Sequence, residues 1–173
     1  WKVQVANEYG GNPYAFLVEL AKIAQKDGVI KGVLLHQGES NANDQDWPKK
    51  VKAVYDNLMK DLSLKPDSVP LLAGEVVNAD QGGEKASANE IIKRLPETLH
   101  NSYVISSAGL PSNPDHLHFT TEGYRQFGRR YAEKMLATLG YKISQPISTT
   151  ARRAGVTLSL MLRDSATQNR DDR

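Results

Sequence analysis

Asp115 stands three residues ahead of His118 in the stretch Pro114-Asp115-His116-Leu117-His118-Phe119-Thr120. A neutral imidazole can take a proton from a hydroxyl nucleophile. A carboxylate on its other ring nitrogen fixes the tautomer and stabilises the imidazolium that forms. In a loop that leads into a helix, an aspartate at this spacing can reach back to Nδ1. The pair reads as the acid-and-base half of a hydrolytic triad. In a plainer reading Asp115 is a turn residue after Asn113-Pro114 and His118 merely packs; the spacing alone allows both.

A second polar cluster is His36-Gln37-Gly38-Glu39-Ser40-Asn41, directly after an apolar run. Gln37 can donate its amide to a developing oxyanion. Gly38 permits a tight backbone turn beside a substrate. Glu39 can hold the loop, orient a histidine or bind a sugar hydroxyl. Ser40 is the alternative nucleophile: Gly38-Glu39-Ser40-Asn41-Ala42 resembles the Gly-x-Ser-x-Gly elbow of α/β-hydrolases but lacks its second glycine. The plain alternative is a polar loop whose Ser or Asn caps the next helix. His116, His118 and Asp115 are the one candidate metal set, with no HExxH and no further close ligand cluster to support it.

The elements that must position these residues alternate. Asn12-Pro13 opens a helix over 13–26 with Phe16, Leu20, Ile23 and Ala24 as its apolar stripe, stopped by Asp27-Gly28. Residues 29–35 are short, branched and nearly all apolar, as in a strand buried on both faces. Trp47-Pro48 starts a second helix with Val51, Val54, Tyr55, Leu58, Met59 and Leu62 on one face. After a turn at Lys65-Pro66-Asp67, Val69 to Val77 reads as a second buried strand with Pro70 near its start. Ala88, Ile91, Ile92 and Leu95 mark a third helix closed by Pro96, and Tyr103-Val104-Ile105 a third strand. Thr120 or Thr121 caps a last helix whose stripe is Tyr124, Phe127, Tyr131, Met135 and Leu139, ended by Gly140. Such alternation predicts an α/β fold, a parallel sheet with helices on both faces. Ligands then bind at the carboxyl ends of the strands, at loops starting with His36, Asn78 and Ser106.

Composition narrows the function classes. The 173 residues carry 22 basic and 20 acidic side chains, a net charge of +2 that gives no reason to expect a nucleic-acid partner. Cysteine is absent, which removes disulfides, thiolate metal sites and thiol nucleophiles. No apolar run approaches the roughly 20 residues that span a bilayer, so no membrane partner is expected. No signal peptide is visible, and the chain starts at Trp1 without a Met, as a processed or partial product would. Residues 1–142 read as one domain. Residues 143–173, rich in Ser, Thr, Arg and Asp, read as a linker or poorly ordered tail in which only Val156 to Leu162 has element-like character.

Two blocks, Val33-Leu34-Leu35-His36-Gln37-Gly38-Glu39-Ser40-Asn41 and Asp115-His116-Leu117-His118-Phe119-Thr120 followed by Glu122-Gly123-Tyr124, together resemble the SGNH hydrolase superfamily. More narrowly they resemble its carbohydrate acetylesterases, which include acetylxylan esterases and sialate O-acetylesterase-like domains. Similarity runs from about Tyr9 to Leu139 and takes in Leu71-Leu72-Ala73-Gly74-Glu75. The resemblance implies a three-layer flavodoxin-like fold and a Ser-His-Asp mechanism with no metal or other cofactor. Carried over, His118 is the general base, Asp115 its partner and Gln37 the oxyanion donor; Gly38 and Glu39 belong to the same motif. The implied substrate is an acetylated glycan such as acetylated xylan, and the implied setting extracellular or periplasmic, in one module of a longer polypeptide.

The chain departs from that pattern in two upstream blocks, one carrying the nucleophile and one a glycine whose amide helps the oxyanion hole; neither is present. The family's nucleophile sits in an upstream Gly-Gln-Ser-Asn-like block, and no Gly-Gln-Ser or Gly-Asp-Ser occurs here. The resemblance therefore implies the C-terminal portion of an esterase domain. Its N-terminal strands are missing or supplied by a neighbouring segment, its sheet edge at residues 29–35 is bare, and its catalysis is incompetent in isolation. The contrasting reading is a non-catalytic carbohydrate-binding remnant in which Trp1, Trp47 or Tyr124 stacks on sugar rings; the plainer reading of each is core or cap packing, at a helix start or on an apolar stripe.

Overall fold

The computed structural model describes residues 9–142 together with Asn7. The linker or tail expected over 143–173 and the Trp1 sugar contact lie outside the described residues. Three parallel strands form one sheet in the order β1 (Val33–His36), β2 (Leu71–Gly74), β3 (Ser102–Ile105). Helices α1 (Pro13–Ala24), α2 (Trp47–Asp61), α3 (Ala88–Ile92) and α4 (Leu95–Thr98) belong to one side, and α5 (Thr121–Thr138) to the other. The three-layer α/β architecture with a parallel sheet is the one expected, over the part of the fold described here. No helix among the described residues is long and apolar enough to cross a membrane.

Each layer packs on the sheet through its own core. On one side Val18 of α1, Trp47, Tyr55, Leu58 and Met59 of α2, and Ile91, Ile92 and Leu95 cluster with Leu71 and Ala73. On the other, Phe127 of α5 joins Leu72, Ile105, Leu110 and Phe119. Gly74 at the end of β2 makes the second contact possible, because the rings of Tyr131 and Phe127 occupy the space a Cβ would need. Tyr131 then donates its hydroxyl hydrogen to the carbonyl of Leu35 at 2.6 Å, tying α5 to β1.

Several boundaries differ from the sequence reading. The strand expected over 29–35 is Val33–His36. Residues before Val33 would pair with Pro70, which has no N–H, and with the 3-10 turn at Pro66–Ser68. Nor is that strand buried on both faces: burial alternates along it, and Leu34 is 63% exposed because β1 is an edge strand of the described sheet. The strand expected over 69–77 is confined to Leu71–Gly74, since past Glu75 the backbone of Val76 is held by the Asn89 side chain.

Helix α1 ends at Ala24, two residues early, and Phe16, Leu20 and Ile23 face solvent. The helix is apolar around most of its circumference, and Tyr14, Val18 and Ala21 form the stripe that meets the core. The expected third helix is two short ones, and Pro96 opens α4 instead of closing α3, a position where its missing N–H costs nothing. The caps agree with the reading. Asn12 accepts from the Ala15 N–H at 3.1 Å and Thr120 from the Gly123 N–H at 3.1 Å.

Candidate functional site

The loops at the carboxyl ends of the three strands converge, and the Asp115–His118 pair lies there. The chain turns sharply at His116, whose φ of 54° is in the left-handed region, uncommon for a residue with a Cβ. This turn folds 117–118 back over Asp115. Asp115 Oδ1 accepts the backbone N–H groups of Leu117 and His118, each at 3.0 Å, while Oδ2 lies 2.7 Å from His118 Nδ1. The His118 hydrogen bond and the two backbone donors hold the Asp115 carboxyl down to about 2. The same carboxylate raises the His118 imidazole above its ordinary value. With Nδ1 engaged, Nε2 is left for a reacting hydroxyl, and 65% of the His118 side chain is exposed.

Glu39 also acts electrostatically on His118, which places the strand-end loop of β1 within reach of the pair. Its carboxylate accepts the Gly38 N–H at 3.2 Å. Gly38 is buried, and a Cβ there would lie 2.9 Å from Ile92 Cδ1 and 3.1 Å from Val76 Cγ1, so the loop approaches the core as only glycine allows. Gln37 is held at both ends of its amide: Oε1 accepts from Trp47 Nε1 at 2.6 Å and Nε2 donates to Asn41 Oδ1 at 2.7 Å. One Nε2 hydrogen remains. Trp47 is therefore a buried support for Gln37 and not an open sugar platform.

His36 was part of the polar cluster in sequence, but its role becomes visible only in the fold. Its ring packs against Phe119, Tyr124 and Phe127, with centroids 5.8, 6.3 and 5.4 Å away. Burial lowers its pKa, against the smaller opposing effects of Glu39 and of a hydrogen bond with the Glu75 backbone. Tyr124 remains 44% exposed at the margin of this aromatic cluster.

The remaining candidates make no hydrogen bond to the pair among the described residues. Ser40 is exposed on a 3-10 turn and lines a polar depression with Glu39, Asn41, Asp44 and Lys85. Among the described residues no hydroxyl hydrogen-bonds to His118 Nε2. His116 packs its ring beside Gly82, and no group of three ligating side chains gathers among the described residues. A surface groove also runs between α1 and Asp61 at the end of α2, and no residue of the pair lines it.

Sequence reasoning missed a buried polar group under the site. Glu75, Asn89, Ser102 and Ser107 are the polar residues in the core, and the first two and Ser107 lie together where β2 ends. The only local signal was a carboxylate closing an apolar run.

A family model described as carbohydrate esterase, sialic acid-specific acetylesterase, matches residues 1–137. A probable carbohydrate esterase of Arabidopsis thaliana is 32% identical over 135 residues, covering 75% of this chain and 50% of the relative. The X-ray structure of an Arabidopsis thaliana protein superposes with a TM-score of 0.61 at 30% identity, over 72% of this chain and 52% of that one. The chain thus spans about half the length of the relatives it matches. On the match over residues 1–137 and these relatives, the chain belongs to the carbohydrate esterase family of sialic acid-specific acetylesterases.

Proposed function

We propose that this chain supplies the acid–base half of a carbohydrate O-acetylesterase that removes acetyl groups from acetylated xylan or a related glycan. The observation that carries the reading is the 2.7 Å contact between His118 Nδ1 and Asp115 Oδ2 at the carboxyl edge of a parallel sheet. In this reading a serine hydroxyl attacks the acetyl carbonyl while His118 Nε2 takes its proton. The imidazolium, stabilised by Asp115, then protonates the leaving sugar oxygen and frees the deacetylated glycan. A water molecule, deprotonated by the same nitrogen, releases acetate and restores the serine. The remaining Nε2 hydrogen of Gln37, in an amide fixed by Trp47 and Asn41, is the donor for the tetrahedral oxyanion. Gly38 and Glu39 shape the loop that carries it.

The nucleophile comes from the part of the relatives' length that this chain does not span. Two observations support this: the roughly half coverage of the relatives, and the lack of a hydroxyl on His118 among the described residues. The substrate class places the enzyme outside the cytoplasm, where acetylated polysaccharide is met. The test is acetate release from acetylated xylan. The 173-residue chain is expected to be no faster than its His118→Ala variant. A longer polypeptide that adds the upstream block is expected to turn over and to lose about 10³-fold or more in kcat on His118→Ala. Normal turnover by the 173-residue chain, or indifference of the longer one to His118→Ala, would overturn the reading.

A further inference from the structure

Glu75 is 2% exposed, and the proposed reaction does not use it. A carboxylate is rarely buried unless its oxygens are occupied. Here Oε2 accepts the backbone N–H of Ser107 at 2.9 Å, with the Ser107 hydroxyl and Asn78 Nδ2 each at 3.5 Å. Lys93 Nζ stands 3.8 Å from Oε1. Ser107 also donates its hydroxyl hydrogen to the Val76 carbonyl at 2.7 Å. The start of the loop that follows β3 is therefore clamped from inside the protein to the end of β2.

That loop runs on to Asp115 and His118, and the segment after Glu75 braces it along its length. Gly109 N–H donates to Asp80 Oδ2 at 2.7 Å, and the Ser112 hydroxyl to the Gln81 carbonyl at 3.0 Å. Glu84 N–H reaches the carbonyl of His116, the residue with the strained φ, at 3.2 Å. Gly82 lies directly against the His116 ring. Asp115 is tied locally by the Leu117 and His118 N–H groups, but little packing surrounds the 2.7 Å contact, with the His118 side chain 65% and the Asp115 side chain 46% exposed. The turn that carries both side chains is itself seated by the loop beneath.

We propose that Glu75 is a positioning residue for the Asp115–His118 pair, acting through the Ser107 N–H to set the loop from which both side chains project. The proposal rests on the reading of that pair as the base of an esterase, but its test needs no turnover. The readout is the titration of the His118 ring by NMR in the 173-residue chain. In the wild type His118 is expected to titrate above its ordinary value, chiefly through Asp115 with a lesser push from Glu39, and Asp115→Asn is expected to remove most of the rise.

Glu75→Ala is expected to move His118 at least halfway back toward 6.5. Glu75→Asp, which keeps the charge but falls short of Ser107, is expected to do the same, and serves if the alanine variant does not fold. Glu75→Gln, whose carbonyl oxygen can still accept the Ser107 N–H, is expected to leave His118 unchanged. Leu58→Ala, a core truncation in α2, controls for general loosening and is also expected to leave it unchanged.

An Asp115-dependent rise that survives in folded Glu75→Ala or Glu75→Asp overturns the proposal alone. So does an equal fall in Leu58→Ala, which would mark a merely structural role, or in Glu75→Gln, which would mark a direct charge effect. If Asp115→Asn leaves the wild-type titration unmoved, there is no pair to position and the proposal falls with it. Failure of the esterase reading itself would appear separately, in the acetate assay.

Discussion

Asn89 grips Val76 at both of its backbone groups, accepting the N–H on Oδ1 at 2.9 Å and donating from Nδ2 to the carbonyl at 3.2 Å. The contact takes over where the β-ladder stops, one residue after the Glu75 N–H reaches the Ile105 carbonyl at 3.0 Å. Asn89 is 3% exposed and Val76 1%, so water does not replace these bonds. Asn89→Leu would strand a buried donor and a buried acceptor. The expected loss is about 2 kcal/mol or more, from about 1–3 kcal/mol per unsatisfied group. It would be read as a lower urea midpoint at constant m-value. Asn89→Asp keeps the acceptor but sets a carboxylate against the Val76 carbonyl, and should also destabilise. A midpoint within error of wild type for both would contradict the account.

The Asp115–His118 pair predicts opposite pH trends for stability and for activity. Asp115 is depressed to about 2, so its contribution is full above its unfolded value near 3.8 and disappears as pH falls through about 2. The folded pKa of His118 is raised, so its contribution is full below 6.5 and disappears as pH rises through the raised value. The pair therefore stabilises most between about pH 4 and 6.5. A general base must be unprotonated, so activity in the nucleophile-bearing polypeptide should climb with pH through that raised value. Asp115→Asn should return the ascending limb to near 6.5 and lower kcat by orders of magnitude. A pH–rate profile that keeps its limb in the variant would rule out Asp115 as the cause of the shift.

Gly38 carries a prediction about space. An alanine Cβ would press on Ile92 and Val76, each 1% exposed and surrounded by core. Neither side chain has room to swing aside without disturbing its own neighbours. Gly38→Ala should cost about 1–3 kcal/mol, the usual range for overpacking. It should also displace the Gln37 and Glu39 side chains on either side, visible as chemical-shift changes at the Trp47 indole N–H that Gln37 accepts. An unchanged indole resonance and an unchanged unfolding midpoint would show that the loop does not lie against the core in this way.

What the sequence made legible was local. Asp115 and His118 are three residues apart, and Asn12 and Thr120 cap helices three residues on, so each contact lies within reach of short-range spacing, though for the pair the spacing alone also allowed a plain turn. Alternating apolar runs likewise gave the parallel sheet and the layers. Links between distant segments were not legible: the Glu75–Ser107 clamp spans 32 residues, and no periodicity marks it. The plain reading of Trp47 as packing at a helix start is what the fold shows, but its seating of Gln37 was not legible, because an indole N–H near a strand end is indifferent in sequence to sugar or amide. The face of α1 was misread for a different reason. Apolar residues occupy most of its circumference, so helical spacing offers two stripes and only tertiary packing chooses between them.

That second stripe has a measurable consequence. Phe16, Leu17, Leu20 and Ile23 are 40–50% exposed on α1, and Leu34 is 63% exposed on β1, the edge strand of the described sheet. A parallel edge that no described residue pairs, beside apolar side chains, is a template for association. The 173-residue chain should therefore scatter more light with rising concentration and bind a hydrophobic dye such as ANS while still folded. Leu34→Lys, which puts a charge on the edge without touching either core, should reduce both signals and leave the unfolding midpoint near that of wild type. Leu20→Lys should reduce dye binding further by breaking the α1 stripe at its centre. Val18→Lys, buried among the α1 and α2 contacts, should instead unfold the chain, which separates an exposed face from a packed one. A monodisperse monomer without dye binding, at concentrations where the wild type was expected to associate, would mean that these side chains are covered in solution.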